Sequence, residues 1–122
     1  MTTEILVGPA AELAEGERRL LTHGALEIGY LRIDGRHRAF LNLCPHQGGP
    51  VCDGLVTRRV EEVLGEGREH LGMTFSEDRF HLVCPWHGWE FDVETGACAG
   101  DGRARLRRFE VIEREGQVYV VL

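Results

Sequence analysis

Short runs in which apolar and polar residues alternate recur along the chain and predict strands. In Leu26–Ile33, LEIGYLRI, the alternation has the period of a strand, and Asp34-Gly35 then gives a hairpin signal. The pattern resumes as AFLNL, which ends at Leu43. These features predict a β-hairpin whose second strand leads directly into Cys44.

Several other segments have the same character, and the closely spaced turns between them favour an antiparallel sandwich or barrel. Pro9–Glu17 is more polar and predicts a loop or a brief helical turn. The remaining predicted strands are Glu4–Val7 at an edge, Phe80–Val83 leading into Cys84, Trp89–Val93, and a closing hairpin of Arg107–Glu113 and Gln117–Val121 around Glu115-Gly116.

One segment departs from the strand pattern. Its apolar residues recur at i, i+4, i+7 and i+8, which is the spacing of a helix face, and Gly65 is suitably placed to end a helix. We therefore expect a short amphipathic helix of about two to three turns within an insertion around residues 55–78, followed by a surface loop. The residues of the apolar face are Val56, Val60, Val63 and Leu64.

Length and charge narrow the function. A chain of 122 residues predicts a single domain, residues 1–122, and no apolar run approaches the roughly 18 to 20 residues of a membrane span. The N-terminal segment lacks the features of a secretory signal, so we expect a cytoplasmic protein. A net charge of -6 argues against nucleic-acid binding and favours a protein partner with a basic docking face.

Four cysteines, Cys44, Cys52, Cys84 and Cys98, raise the choice between disulfides and metal ligation. Without an export signal, metal ligation is favoured. Cys52 and Cys98 have no histidine close by in a matching loop, and we expect them to be small buried apolar residues.

The other two cysteines lie in a pair of similar loops, CPHQGGP over residues 44–50 and CPWHGW over residues 84–89. Each loop offers one cysteine and one histidine. Structural zinc is one possibility, although its usual sites pair two cysteines on one element with two histidines on another. A [2Fe-2S] cluster with two thiolates on one iron and two imidazoles on the other fits better, with Cys44 and Cys84 on one iron and His46 and His87 on the other. Gly48, Gly49 and Gly88 are expected to allow positive φ or a close backbone approach.

Together the two motifs resemble the cluster-binding loops of Rieske proteins, and more narrowly those of Rieske ferredoxins and the Rieske domains of ring-hydroxylating oxygenases. The resemblance implies an all-β fold of three antiparallel sheets with a small cluster-binding subdomain. It also implies one Rieske [2Fe-2S] cluster per chain, held by Cys44, His46, Cys84 and His87. The expected role is that of a monomeric electron carrier without catalytic residues, whose partners are a flavin-dependent reductase and a terminal oxygenase.

The sequence differs from quinol-oxidising Rieske proteins at two tryptophans, and from the pattern of Rieske ferredoxins in two further respects. Quinol-oxidising Rieske proteins have a cysteine and a serine where this chain has Trp86 and Trp89, so we expect a reduction potential in the lower part of the Rieske range. The 37 residues between His46 and Cys84 are more than usual for Rieske ferredoxins. Where that family often has prolines, this chain has Arg103, Arg105, Arg107 and Arg108, which we interpret as a solvated face or, alternatively, a docking patch.

Two other roles remain open at this point. The chain could be the small Rieske subunit of a reductase assembly such as nitrite reductase, which would copurify as a stable complex. It could also be a cluster-based redox-sensing module. A terminal oxygenase would need a second domain with a mononuclear iron, and these 122 residues leave no room for it.

Overall fold

Antiparallel strands make up most of the chain in the computed structural model, which describes residues 3–45, 48–64, 70–86, 88–99 and 103–122. Short 3₁₀ turns at Ala10–Glu12 and Val51–Asp53 are the helical elements of these ranges, and neither could cross a membrane. The strands are β1 (Glu4–Pro9), β2 (Arg18–His23), β3 (Leu26–Ile33), β4 (Arg36–Leu41), β5 (Leu55–Leu64), β6 (His70–Val83), β7 (Glu90–Asp92), β8 (Arg108–Arg114) and β9 (Gln117–Val121).

Within the described ranges the strands form two sheets. The larger sheet has the order β1-β9-β8-β4-β3-β2, and the smaller has the order β5-β6-β7. The larger sheet consists of two halves joined only where β4 meets β8, through the pairs Ala39–Phe109 and Phe40–Arg108. The all-β antiparallel fold is therefore confirmed, and two of the three expected sheets are continuous across this short joint.

The two hairpins predicted from dipeptide turns are present. Asp34 and Gly35 link β3 to β4 with φ angles of 52° and 71°, and Glu115 and Gly116 link β8 to β9 with φ angles of 52° and 77°. Positive φ at both central residues matches the right-handed twist of the flanking strands. β4 ends at Leu41, so the chain enters the first loop directly from the larger sheet.

The predicted helix is wrong, because residues 55–64 form strand β5 and pair with β6 from Leu55 opposite Val83 to Leu64 opposite His70. The pairing is irregular between Arg58 and Val60 and between Val63 and Leu64, and at both places the extra residues lie in β6. The apolar residues of β5 do not recur with a period of two, and their spacing matches a helix face. The strand is instead determined by its pairing with β6, which is a tertiary property that the local pattern does not show.

Two groups of buried side chains form the core. One is built on the larger sheet around Ile28, Tyr30 and Val118. The other lies between the larger and smaller sheets, contains Phe40, Leu82 and Phe91, and also includes all four cysteines. Cys52 and Cys98 are buried free thiols there, as the sequence predicted.

Candidate metal centre

The two cysteine loops have the same backbone hydrogen bond at the same position. The carbonyl of Cys44 accepts the N–H of Gly48 at 2.8 Å, and the carbonyl of Cys84 accepts the N–H of Gly88 at 3.1 Å. Both glycines have positive φ, 78° and 70°, a conformation that glycine adopts without steric cost. The sequence prediction for these two glycines is confirmed.

A second bond closes each loop. The N–H of Cys44 donates to the carbonyl of Gly49, and the N–H of Cys84 donates to the carbonyl of Trp89, both at 2.8 Å. Each cysteine therefore uses both backbone groups within its own loop. These bonds orient the backbone at each cysteine and so fix the start of its side chain.

The structure brings the thiols of Cys44 and Cys84 together, although the residues are 40 positions apart in the chain. The two sulfur atoms are close enough to interact, and the backbone N–H of Trp86 donates to the Cys84 sulfur. Both cysteines are almost fully buried, and no disulfide joins them. Burial, and secondarily the neighbouring Cys44 thiol, raises the pKa of Cys84 despite the opposing N–H of Trp86.

Trp86 and Gly49 bring the two loops into contact. A Cβ atom added to Gly49 would lie 2.8 Å from Cγ and Cδ2 of Trp86 and 3.1 Å from Sγ of Cys84. Gly49 therefore allows the close approach that the sequence predicted. Half of the Trp86 ring surface remains exposed, so the ring covers the contact between the loops from the solvent side.

Two residues that sequence reasoning missed hold the chain where it leaves the first loop. The side-chain oxygen of Asn42 accepts the N–H of Cys52 at 2.9 Å, and it is buried. Arg18 of β2 donates to the carbonyls of Cys52 and Gly54. A polar residue at the end of the apolar run AFLNL was the available signal for Asn42, but nothing nearby in sequence marks Arg18.

His46 and His87 lie outside the described residues, and the described residues alone contain no group of three or more potential metal-binding side chains. Cys44 and Cys84, the described half of the predicted ligand set, have the chemistry that an iron–sulfur cluster requires. Thiolates are soft metal ligands. In a buried site with little water, binding to a metal stabilises the thiolate form of the two cysteines.

Comparison with known proteins agrees with this chemistry. The sequence model of the Rieske [2Fe-2S] domain matches residues 3–110. The ferredoxin component of the alkene monooxygenase system of Xanthobacter autotrophicus (strain ATCC BAA-1158 / Py2) is 26% identical over 109 residues, which are 89% of this chain and 73% of that protein. The oxygenase component of dicamba O-demethylase from Stenotrophomonas maltophilia is 29% identical over 75% of this chain, but the chain spans only 23% of that relative.

Solved structures show the same fold. A protein described as the small subunit of an NADH-dependent nitrite reductase from Mycobacterium tuberculosis matches with a TM-score of 0.74 and 18% identity, over 100% of this chain and 96% of that one. A chain in the complex of reduced oxygenase and oxidised ferredoxin of carbazole 1,9a-dioxygenase matches with a TM-score of 0.68 and 26% identity, over 96% and 91% of the two chains.

Proposed function

Because the chain belongs to the Rieske [2Fe-2S] domain family, whose domain contains one [2Fe-2S] cluster, we propose that it is a one-electron carrier between a flavin-dependent reductase and a terminal oxygenase of the ring-hydroxylating type. The observation that supports this most directly is the contact of two buried thiols from two loops of matching geometry. No disulfide joins any of the four cysteines, which favours a reducing compartment, and we therefore propose that the carrier is cytoplasmic.

The proposed ligands are Cys44 and Cys84 for one iron and His46 and His87 for the other. When bound, the cluster accepts and releases a single electron. The chain supplies a site with little water for the two thiolates, and the N–H of Trp86 donates a hydrogen bond to the Cys84 sulfur. Such hydrogen bonds stabilise negative charge on sulfur and so favour the reduced state.

The domain organisation belongs to the same proposal. We take residues 1–122 as a single Rieske domain with cluster-binding loops at 44–50 and 84–89 and an insertion around 55–78. In the structure that insertion belongs to the hairpin of β5 and β6, whose two ends lie next to the two loops. The carrier has no catalytic residues of its own in this proposal.

The reduction potential is a further expectation. Rieske potentials span about -150 to +300 mV, and second-shell hydrogen bonds account for part of that range. Trp89 stands where quinol-oxidising proteins have a serine, so we expect a midpoint in the lower part of the range by protein-film voltammetry. Trp89→Ser should raise it, and a wild-type midpoint like that of the quinol-oxidising proteins would contradict the assignment.

The ligand set can be tested by composition and spectroscopy. Purified protein should contain about two irons and two acid-labile sulfides per chain and give a Rieske-type EPR spectrum when reduced with dithionite. Cys44→Ser, His46→Ala, Cys84→Ser and His87→Ala should each abolish that spectrum. The matched controls Cys52→Ser and Cys98→Ser should retain it, and zinc without sulfide in the wild type would refute the proposal.

The nitrite reductase small subunit is the second candidate, favoured by the fold match over the full length of this chain. The two roles differ in the lifetime of the complex. A carrier makes small transient contacts, whereas a subunit remains bound. Purification of the tagged full chain from its own cells should therefore give free protein in the first case and a stable stoichiometric complex with a reductase in the second.

A further inference from the structure

Five arginines of the described chain surround the turn formed by residues 93–96, which follows β7. This arginine cluster faces two acidic side chains of the turn region, Asp92 and Glu94, with Asp34 at its margin. Arginines thus outnumber carboxylates at this place, although the whole protein has a net charge of -6. The members of the cluster are Arg36, Arg38, Arg79, Arg105 and Arg108.

The turn is rigidly built. Oδ1 of Asp92 accepts the backbone N–H groups of Glu94 and Thr95 at 2.8 and 3.1 Å, and its Oδ2 accepts two donors of Arg79 at 2.7 and 3.2 Å. Burial alone would raise the pKa of Asp92, but these hydrogen bonds outweigh it and hold that pKa below its usual value. Asp92 therefore remains ionised and neutralises Arg79.

The other cluster arginines are not neutralised in the same way. Arg36 and Arg38 share the single carboxylate of Glu94, at 3.4 and 3.3 Å. Arg105 and Arg108 donate to the backbone carbonyls of Thr95 and Glu94, which are uncharged acceptors. These bonds orient the guanidinium groups and leave positive charge that a carboxylate from another molecule can neutralise.

The cluster also borders an open cleft of about 270 Å³, whose walls include Arg36, Arg38, Arg79 and Glu94. Guanidinium groups bind carboxylates through charge-assisted hydrogen bonds, often two at a time. The side chain of Arg36 is largely exposed at the cleft, so it can pair with a carboxylate that enters from solvent.

The arginine cluster is close enough to the two loops for one partner protein to contact both. The turn begins about four residues after Trp89, or roughly 13 Å along a strand, and the segment with Arg105 lies about two strand spacings, or ~10 Å, from β7. Backbone bonds from Ala99 to Glu90 and from Cys98 to Ala104 establish this order. A partner covering about 800 Å² around the loops would extend over the cluster as well.

We propose that the arginine cluster is a docking surface for an acidic face of the redox partner, with a partner carboxylate occupying the cleft at Arg36. This rests on the proposed function, since it assumes that electrons leave through the loops. The loops themselves, CPHQGGP and CPWHGW, contain no acidic, lysine or arginine residue, so neighbouring side chains determine the electrostatic potential there. The arginine cluster contributes positive potential on its side of the loops, although the net charge of the protein is negative.

The sign of the salt dependence tests this without a known partner. The reduced protein is mixed in a stopped-flow instrument with trianionic tris(oxalato)cobaltate(III), or with cationic hexaamminecobalt(III), and one electron passes to reduce Co(III) to Co(II). The Debye length is about 30 Å at 10 mM salt and much shorter at 300 mM. If the arginine cluster dominates the electrostatic interaction with the oxidant, the rate with the anion should fall about threefold as salt rises over this range. The rate with the cation should rise.

Matched variants locate the effect. Arg36→Gln and Arg105→Gln each remove one positive charge from the arginine cluster. Each should lower the rate with the anionic oxidant about twofold at 10 mM salt. Arg114→Gln removes the same charge at the far end of β8, where the arginine pairs with Glu4, and should leave the rate nearly unchanged. Equal effects of all three, or an anionic rate that rises with salt, would overturn the docking surface.

A second measurement does not depend on electron transfer. Addition of a hexaglutamate peptide to ¹⁵N-labelled protein should shift the side-chain Nε–H signals of Arg36 and Arg105 before that of Arg114. Shifts of all three together would count against a specific docking surface. A protein that shows no reversible one-electron reduction at all would instead refute the proposed function, so the two failures can be told apart.

Discussion

Gly49 is the residue at which the two loops touch, and its missing side chain is what makes room for Trp86 and Cys84. We expect Gly49→Ala to displace the indole ring or the thiol, because a Cβ at 2.8 Å from two ring carbons cannot be accommodated without movement. Iron and acid-labile sulfide per chain should fall at least about threefold, since ligand geometry tolerates little displacement.

The control for that change is Gly24→Ala. Gly24 has a positive φ of 59° and no atom within 4 Å of an added Cβ. Its substitution tests backbone strain alone, at about 1 kcal/mol, in a turn away from the loops. Full cluster content in both variants would show that the contact between Gly49 and Trp86 is dispensable.

Cys52 provides a prediction about pH. Burial raises the pKa of this thiol from 9.0 to about 12. Between these values the folded protein keeps a proton that the unfolded chain loses, so the free energy of unfolding falls as pH rises, by up to about 1.4 kcal/mol per pH unit. Urea unfolding at pH 8 and pH 10.5 should show this loss in the wild type.

Substitution isolates the contribution of Cys52. Cys52→Ala should be less stable at pH 8, because it leaves a small cavity against Gly29 and Phe40, but it should lose less stability on going to pH 10.5. Cys98→Ala alters another cysteine of the same core and serves as the control. We expect its free energy of unfolding to depend on pH as that of the wild type does. A wild-type slope in Cys52→Ala would contradict the assignment.

Among the elements, the hairpin of β5 and β6 is the clearest separate unit. β7 pairs with β6 only from His81 to Val83, so the part from Val60 to Phe75 has no third strand among the described residues. Replacing residues 60–75 by Asn-Gly should therefore preserve the cluster and change the free energy of unfolding by only about 1 kcal/mol. EPR and urea unfolding measure these two quantities.

The same deletion tests whether the hairpin influences partner choice. Its base lies between the two loops in sequence, with Leu55 opposite Val83 and Cys84 directly following. We expect the shortened protein to transfer electrons more slowly to its natural partner while reacting normally with a small cobalt oxidant. An unchanged rate with the partner would exclude this role, and loss of the cluster would show that the hairpin is structural.

The elements also show what sequence can predict. Strands that precede Cys44 and Cys84, and turns such as Asp34-Gly35, follow from local periodicity and from dipeptides with a strong conformational preference. The strand β5 was mistaken for a helix because its apolar residues have a helical spacing, whereas its pairing with β6 depends on the tertiary fold. Strand β2, RRLLTH, was missed because its polar residues do not alternate, and its pairing with β3 is a tertiary property.

Some features of the candidate site could likewise be predicted from the sequence, and others could not. Two loops of matching sequence identified both cysteines and the glycines that shape the loops, because those requirements are local. Asn42 and Arg18, which hold Cys52 and Gly54, come from other strands and could be recognised only after folding. The excess of arginines around the turn at 93–96 likewise depends on side chains from four separate segments.

On the scale of the whole molecule, the position of the site within one of two core groups predicts how metal loss affects the fold. Cys44 and Cys84 belong to the core between the sheets, whereas Val118 and Val120 belong to the other. Removing iron takes away the link between the loops, because metal binding and folding are coupled in such sites. The apo-protein should therefore loosen in one half only.

Hydrogen exchange measures this directly. After chelation, the amides of Cys44, Gly48, Cys84 and Gly88 should exchange at least about tenfold faster, while those of Val118 and Val120 keep their protection. Uniform acceleration along β1 to β9 would mean that the cluster stabilises the whole fold, and unchanged loops would mean that the protein alone maintains them. Reconstitution with iron and sulfide should restore the original pattern.

The repeated loop has a consequence for how such proteins can change over generations. Its backbone bonds close within the loop, from a cysteine to the glycine four residues later and from the same cysteine to the fifth residue. For each of the two loops, the rest of the fold therefore needs to supply only two strand ends at the right separation. A loop of this kind is structurally self-contained. Substitutions elsewhere in the sheets can therefore change the surface around the loop, and with it the choice of partner, without a change in the loop itself.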